Sequence, residues 1–298
     1  MQDSSKAHLA ILTANLIYGA NYTIAKFAMP EYINPSAFIL LRVLFASAMF
    51  FLVSLFLRDA KTIERKDIFK LIQLGFFGVA LNQLLFFEGL SRTSNINAAL
   101  IMTTTPILVT VMAFFILKDK LALSQITGIL LGMAGAVMLI LQFRHSSGQA
   151  DSLGDLMIFI NAASYALFLV RAKPMMNKYG TVTVMKWTFI FGTAFVLPFG
   201  IPTMKDVEWD LFPAEAWFSV FFVLLFTTFF AYFLNTYGLN HLSPSAVSNY
   251  IYLQPLFATI IALWLAGEII SLMQVIACIF IFTGVYLVNS KAFVKIKS

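Results

Sequence analysis

Residues 89–106 read GLSRTSNINAALIMTTTP, and residues 238–255 read GLNHLSPSAVSNYIYLQP. Laid side by side without a gap, Leu90 to Pro106 falls on Leu239 to Pro255, an offset of 149 (239 less 90). The same register pairs Gly89 with Gly238, Asp119 with Glu268, Gln125 with Gln274 and Gly135 with Gly284. Earlier segments match at an offset near 145, where Lys26 falls on Arg171 and Arg42 falls on Trp187 beside Lys186. The chain therefore divides into two copies of one unit, 1–143 and 144–298. What that unit is follows from the residues around the matched stretch.

Those residues are apolar. Of 298 residues 60% are hydrophobic and 11% charged, against roughly 25% charged in a soluble domain, and mean hydropathy is +0.86. So little charge cannot coat a soluble globule, and a soluble enzyme is excluded first. The aromatic and aliphatic content excludes disorder, and the single cysteine, Cys278, excludes a disulfide scaffold. A helix needs about 20 apolar residues to cross a bilayer. Ten such runs occur, at about 8–28, 35–57, 68–90, 95–117, 121–143, 152–172, 181–200, 214–237, 244–266 and 269–290. The expected fold is an all-α membrane protein with ten transmembrane helices, five in each copy. An odd number of spans makes the second copy enter the membrane from the opposite side, which gives two inverted repeats.

Basic residues set the direction. With a cytoplasmic N-terminus, the inner segments hold Lys6, Arg58, Lys61, Arg65, Lys66, Lys70, Lys118, Lys120, Arg171, Lys173, Lys178, Lys291, Lys295 and Lys297. The outer segments hold only Lys26, Arg92, Arg144 and Lys205. Both termini are expected in the cytoplasm, in a multi-pass protein of the cytoplasmic (inner) membrane. The net charge of +6 follows this distribution, and no nucleic acid partner is implied. The first span carries Asn15, Tyr18, Asn21 and Tyr22 where a signal peptide needs an apolar core, and is expected to be retained.

Several of these residues also carry a family resemblance. Tyr18-Gly19-Ala20-Asn21-Tyr22 followed by Lys26, Arg42, Gly89-Leu90, Pro106, Asp119, Gly128 and Gly135 resembles an EamA repeat. Ala163-Ser164-Tyr165-Ala166, Gly238-Leu239, Pro255, Glu268 and Gly284 resemble a second one. The chain thus resembles the ten-helix EamA branch of the drug/metabolite transporter superfamily over nearly its whole length. Tyr18 stands where that pattern usually has Trp, and Asp119 where it usually has Glu. The resemblance implies a carrier of small metabolites, often outward, around a cavity lined by the first, third, fourth, sixth, eighth and ninth spans.

Polar residues within apolar spans give the candidate site, since they avoid lipid. Asn15, Tyr18, Tyr22 and Lys26 follow one helical face of the first span. Asn161, Tyr165 and Phe168 form the counterpart in the sixth. Asn82, Gln83 and Phe86 lie in the third span, Thr104 in the fourth, Tyr232 and Asn235 in the eighth, and Asn249 and Tyr252 in the ninth. Each stripe reads either as cavity lining or as interhelical hydrogen bonding. Pro106 and Pro255 free a carbonyl in mid-span, for a hinge, a ligand contact or a shaping kink. Among the charges, Arg42 and Lys186 are near-symmetric and read as fixing helix ends. Glu88 reads either as an ion-pair partner of Lys26 or Arg42, or as a proton carrier. Asp119 and Glu268 read as helix-end caps. His8, His145 and His241 sit at separate span ends, so no metal site is expected, nor any catalytic group or cofactor. The expected partners are a small-molecule substrate, the lipid bilayer and, if Glu88 titrates, a proton. The expected function is secondary transport of amino acids or amphipathic and aromatic compounds, outward by alternating access. An importer or uniporter is the alternative within the class, and a non-transporting sensor or assembly subunit the alternative outside it.

Overall fold

The computed structural model describes residues 2–56, 62–117, 123–142, 152–242, 244–266 and 271–294. Among them no strand occurs. The helical segments are α1 (Gln2–Ile24), α2 (Pro35–Leu55), α3 (Arg65–Arg92), α4 (Asn95–Ile116), α5 (Leu123–Gln142), α6 (Ser152–Tyr179), α7 (Thr181–Met204), α8 (Ala214–His241), α9 (Ala246–Leu265) and α10 (Leu272–Val294). Seven of these, α2 to α4 and α6 to α9, are long and apolar enough to cross a membrane. The apolar stretches described in α5 and α10 are shorter, Leu123–Gly135 and Leu272–Gly284. α1 has the length for a span, but Asn15, Tyr18, Asn21 and Tyr22 dilute its apolar content. Asp119 and Glu268 lie outside the described residues.

Local chemistry sets the helix starts. Asn34 caps α2, its Oδ1 accepting from the Ser36 N–H at 2.9 Å with Pro35 in the first turn. Ser94 caps α4, accepting from the Asn97 N–H at 3.1 Å. α6 runs on through Pro174 to Tyr179, past the end at 172 that its apolar run suggests.

The second helices of the two halves pack against each other and run antiparallel, as do the fifth. In the α2–α7 pair, Ser47 bonds Thr193, Phe50 stacks on Phe189, and Leu40 abuts Gly200, so numbering rises on one helix as it falls on the other. The α5–α10 pair does the same, with Gly135 on Ala277 and Ile281, and Gly284 on Gly128 and Gly132. The first helix of each half packs against the third of the other: α1 on α8, α3 on α6. Two interlocked, inverted units result. A Cβ on Gly284 would stand 2.5 Å from the Gly128 O and Gly132 N, so only glycine lets these backbones meet.

Large apolar side chains face outward, while a set of polar ones is buried within the apolar core. Phe56, Phe115, Trp264 and Leu272 are among the large apolar side chains most exposed on its surface, whereas Asn15, Asn21, Asn82, Gln83, Asn161 and Gln254 are buried. That inversion suits a hydrocarbon solvent.

Both third helices depart from α geometry at matching places. α3 is π-helical over Phe76–Ala80, and α8 over Val223–Phe230. In α8 the Thr228 hydroxyl donates to the Val223 carbonyl at 2.6 Å, satisfying a group the wider turn displaces. The fourth helices also break alike, at Thr103-Thr104 before Pro106 and at the 3-10 turn Tyr250–Tyr252 before Pro255. The Thr103, Thr104 and Thr105 hydroxyls donate to the carbonyls of Leu100, Ile101 and Met102 at 2.6, 2.8 and 2.7 Å. Sequence reasoning left a hinge, a ligand contact and a kink open for Pro106. The helix is interrupted at Thr103-Thr104, and the three threonine hydroxyls take up carbonyls of the preceding turn.

Candidate functional site

A cavity of about 70 Å³ lies where the two halves meet. From the first half Tyr18, Asn21, Tyr22, Arg42, Asn82, Gln83, Phe86 and Met102 line it; from the second, Asn161, Tyr165, Thr227, Tyr232 and Gln254. The π segments and the helix breaks before the two prolines sit immediately beside these residues and aim them inward. Gln83 Nε2 donates to the Tyr232 hydroxyl at 3.2 Å, and these two residues are 149 apart, so each is the repeat partner of the other. The pseudo-twofold relation thus passes through the cavity.

One wall is a closed chain of hydrogen bonds. Tyr22 Oη donates to Gln254 Oε1 at 3.0 Å, Gln254 Nε2 to Asn15 Oδ1 at 2.7 Å, and Asn15 Nδ2 to the Ile11 carbonyl at 2.8 Å. On the other wall Asn82 and Asn161 exchange side-chain amide bonds with each other's backbone carbonyls, clamping α3 to α6. Asn235 Nδ2 donates to the Tyr165 hydroxyl at 2.6 Å and so holds a lining ring without itself lining the cavity. Four lining residues carry an oxygen that is buried without a hydrogen-bond partner: Asn21 Oδ1, Gln83 Oε1, Asn161 Oδ1 and Thr227 Oγ1.

Among the described residues Arg42 is the one charged side chain in the lining, and it is only 3% exposed. Its Nε donates to Thr228 Oγ1 at 2.7 Å and its guanidinium lies 4.6 Å from the centre of the Phe87 ring. No ion pair to Arg42 exists among the described residues. The reading of Arg42 as a helix-end anchor symmetric with Lys186 is therefore corrected. Lys186 is half-buried with its ammonium 5.7 Å from the Trp187 ring, away from the cavity lining. In the register of the Ser47–Thr193 bond, 146 apart, Arg42 corresponds to the uncharged Thr188.

Other candidates fall outside the lining. Thr104 is turned onto its own helix. Tyr252 and Pro255 border a separate apolar groove between α4, α9 and α10, and Asn249 borders neither space. Glu88 accepts from the Ser36 hydroxyl at 3.1 Å and lies outside the lining. Lys26 donates to the Thr93 carbonyl at 2.6 Å, and Lys173 to the carbonyls of Leu239, Asn240 and Leu242. These two lysines cap the ends of the equivalent helices α3 and α8. The counterpart of Lys26 is therefore Lys173 and not Arg171. Asn21, Arg42, Met102, Thr227 and Gln254 are lining residues that the helical stripes missed.

Polar networks lie at both ends of the α3–α6 pair, with the cavity between. At one end Asp67 accepts from Lys178, Lys70 and the Tyr179 hydroxyl, each at 2.7 Å. Glu64 joins Lys178 and Lys66 there, and their hydrogen bonds hold its carboxyl below the usual range. At the other end Asp155 accepts from Thr93 and Asn97, and Gln274 Nε2 donates to Asn97 Oδ1 at 2.6 Å, drawing in α10.

Inverted helical repeats enclosing a polar cavity define a transporter scaffold. The sequence matches the EamA-like transporter family twice, over residues 5–141 and 152–290, and the chain belongs to that family. An uncharacterized transporter of Bacillus subtilis, YyaM, is 28% identical over 281 residues, covering 93% of this chain and 92% of that one. An uncharacterized transporter of Archaeoglobus fulgidus is 25% identical, covering 97% and 99%. A WAT1-related protein of Arabidopsis thaliana is 23% identical, covering 96% and 86%. A crystal structure with a TM-score of 0.68 and 19% identity covers 97% of this chain and 98% of its own, and shares the fold. The protein is a multi-pass membrane transporter and not an enzyme.

Proposed function

We propose that this transporter is a ten-span secondary carrier of the cytoplasmic membrane that exports small metabolites by alternating access. Its repeats are 1–143 and 144–298, and both termini face the cytoplasm. One observation carries the reading: the cavity is built from both inverted repeats, and its lining residues include four with an unpartnered hydrogen-bonding oxygen. At about 70 Å³ it admits a few waters, each needing roughly 10–15 Å³, and falls far short of the roughly 300–1,000 Å³ of a drug-sized site. A solute therefore enters when the repeats part. The networks around Asp67 and Asp155, at opposite ends, are the contacts that would break in turn. The tyrosines and Phe86 suit a small amino acid or an amphipathic or aromatic compound. Outward movement follows the family resemblance, and the basic-residue asymmetry supports the topology. The absence of Glu88 from the lining favours a carrier driven by the solute gradient over one coupled to a proton at that residue.

The test is flux in proteoliposomes preloaded with a panel of labelled amino acids, organic acids and amines. Exit that saturates, and that is lost in Tyr232→Ala, supports the reading. Solute-independent leakage, unchanged in Tyr232→Ala, rejects it.

A further inference from the structure

We infer that Arg42 is an anion anchor and that the solute carried is a small monocarboxylate bearing uncharged hydroxyl or N–H donors. The inference rests on the transporter reading above and deepens it. A guanidinium stays protonated at any physiological pH, so Arg42 is a fixed positive charge. It is buried in the wall of the cavity with no ion-pair partner among the described residues, held by one hydroxyl and one ring face. The acid nearest in sequence to the Phe87 contact is Glu88, and it is engaged by Ser36. Of the groups facing Arg42 from α1, α3 and α8, namely Tyr18, Gln83, Phe87, Thr228 and Tyr232, none carries negative charge. An intramembrane charge without a protein counter-ion is costly, and a bound anion removes that cost.

The rest of the lining narrows the class. A single fixed charge neutralises one negative charge, so a dianion would leave a net charge buried. Among the described residues, four that line the cavity, Asn21, Gln83, Asn161 and Thr227, each carry a buried oxygen without a hydrogen-bond partner. The three amide oxygens can only accept, which calls for N–H or O–H donors on the solute beside its carboxylate. A cationic solute meets Arg42 head-on and is excluded.

The experiment measures thermal midpoints of detergent-purified full-length protein with matched probes. The probes are 2-hydroxy and 2-acylamino carboxylates, the carboxamide of each, the corresponding amines and inorganic phosphate. The expected result is a shift with one or more carboxylates and none with their carboxamides, the amines or phosphate. Arg42→Gln should weaken that carboxylate's binding by roughly 30-fold or more, and Arg42→Lys should restore part of it. The comparison of carboxylate with carboxamide on the wild-type protein stands even if Arg42→Gln does not fold. Equal shifts from acid and amide, or no shift from any carboxylate in a cooperatively melting protein, overturns the assignment. Flux of a carboxamide or amine would remove the anchor and leave the carrier standing; carboxylate binding without flux would do the reverse.

Discussion

Gln83 and Gln254 both line the cavity, and replacing each by Met should have opposite consequences for stability and for transport. Gln254 is only 4% exposed, and its amide closes two bonds, to Tyr22 at 3.0 Å and Asn15 at 2.7 Å. Gln254→Met breaks both. Tyr22 borders the cavity, where water can replace its partner, but Asn15 does not, and its oxygen is left buried and bare. One orphaned acceptor costs about 1–3 kcal/mol and a lost interhelical bond about 0.6 kcal/mol on average, so the loss should be about 2 kcal/mol. Gln83 makes one long bond, 3.2 Å to Tyr232, and its oxygen already lacks a partner. Gln83→Met removes that orphan as well as the bond, and should cost less than about 1 kcal/mol. Transport should rank the other way, since Gln83 lines the cavity with an oxygen that has no protein partner, whereas Gln254 is occupied by protein. Denaturant titration in detergent and flux in proteoliposomes measure the two rankings. Equal destabilisation, or a larger loss of flux from Gln254→Met after correction for folded protein, would refute the reasoning.

The close α5–α10 seam predicts that Gly284→Ala forces those helices apart by about 0.9 Å, from 2.5 Å to an ordinary contact of 3.4 Å. The cost should be about 1–3 kcal/mol of stability, with solute affinity unchanged because the seam is away from the cavity lining. Lys173→Met uncaps α8 and should lower the thermal midpoint by the equivalent of about 1 kcal/mol, measured in detergent. The depressed Glu64 carboxyl adds stability that is present above its unfolded value, near 4.3, and lost as pH falls through its folded value. The midpoint should therefore drop on acidification below about pH 4.3, and drop less in Glu64→Gln. Glu88→Gln should leave the pH dependence of flux unchanged, because Glu88 lies off the cavity lining.

The repeat was legible because the matched stretch ends in proline and glycine positions that backbone geometry demands. The cavity was legible only in part. Projecting residues at 3.6 per turn on α1 and α6 finds Tyr18, Tyr22, Asn161 and Tyr165 in the lining, but also points to Asn15, Lys26 and Phe168, which lie outside it. It fails on α9, where the 3-10 turn at Tyr250–Tyr252 twists the face so that Gln254 points inward and Tyr252 outward. On α8 the π segment shifts the face again and brings in Thr227. Neither irregularity has a signature in apolar periodicity. The pairing of Lys26 with Arg171 failed for another reason. The offset between halves drifts from 146 at Ser47–Thr193 to 149 at Gln83–Tyr232, and the capping lysine keeps its helix end rather than its place in a gapless alignment. Arg42 was misplaced because depth along a helix says nothing of which side the residue faces. Asn21 could have been found: it stands three residues beyond Tyr18, on the same side of α1.

The measurement that bears most directly on the central claim needs no knowledge of the solute. Asn161→Cys is made in a Cys278→Ser background, in sealed vesicles of both orientations, and treated with a membrane-impermeant thiol reagent. Alternating access at a cavity between the repeats predicts labelling from either side, with a cross-link joining positions 67 and 178 blocking one side and a cross-link joining 93 and 155 blocking the other. Labelling from one side alone, or from neither, whatever the state of the two networks, would contradict it.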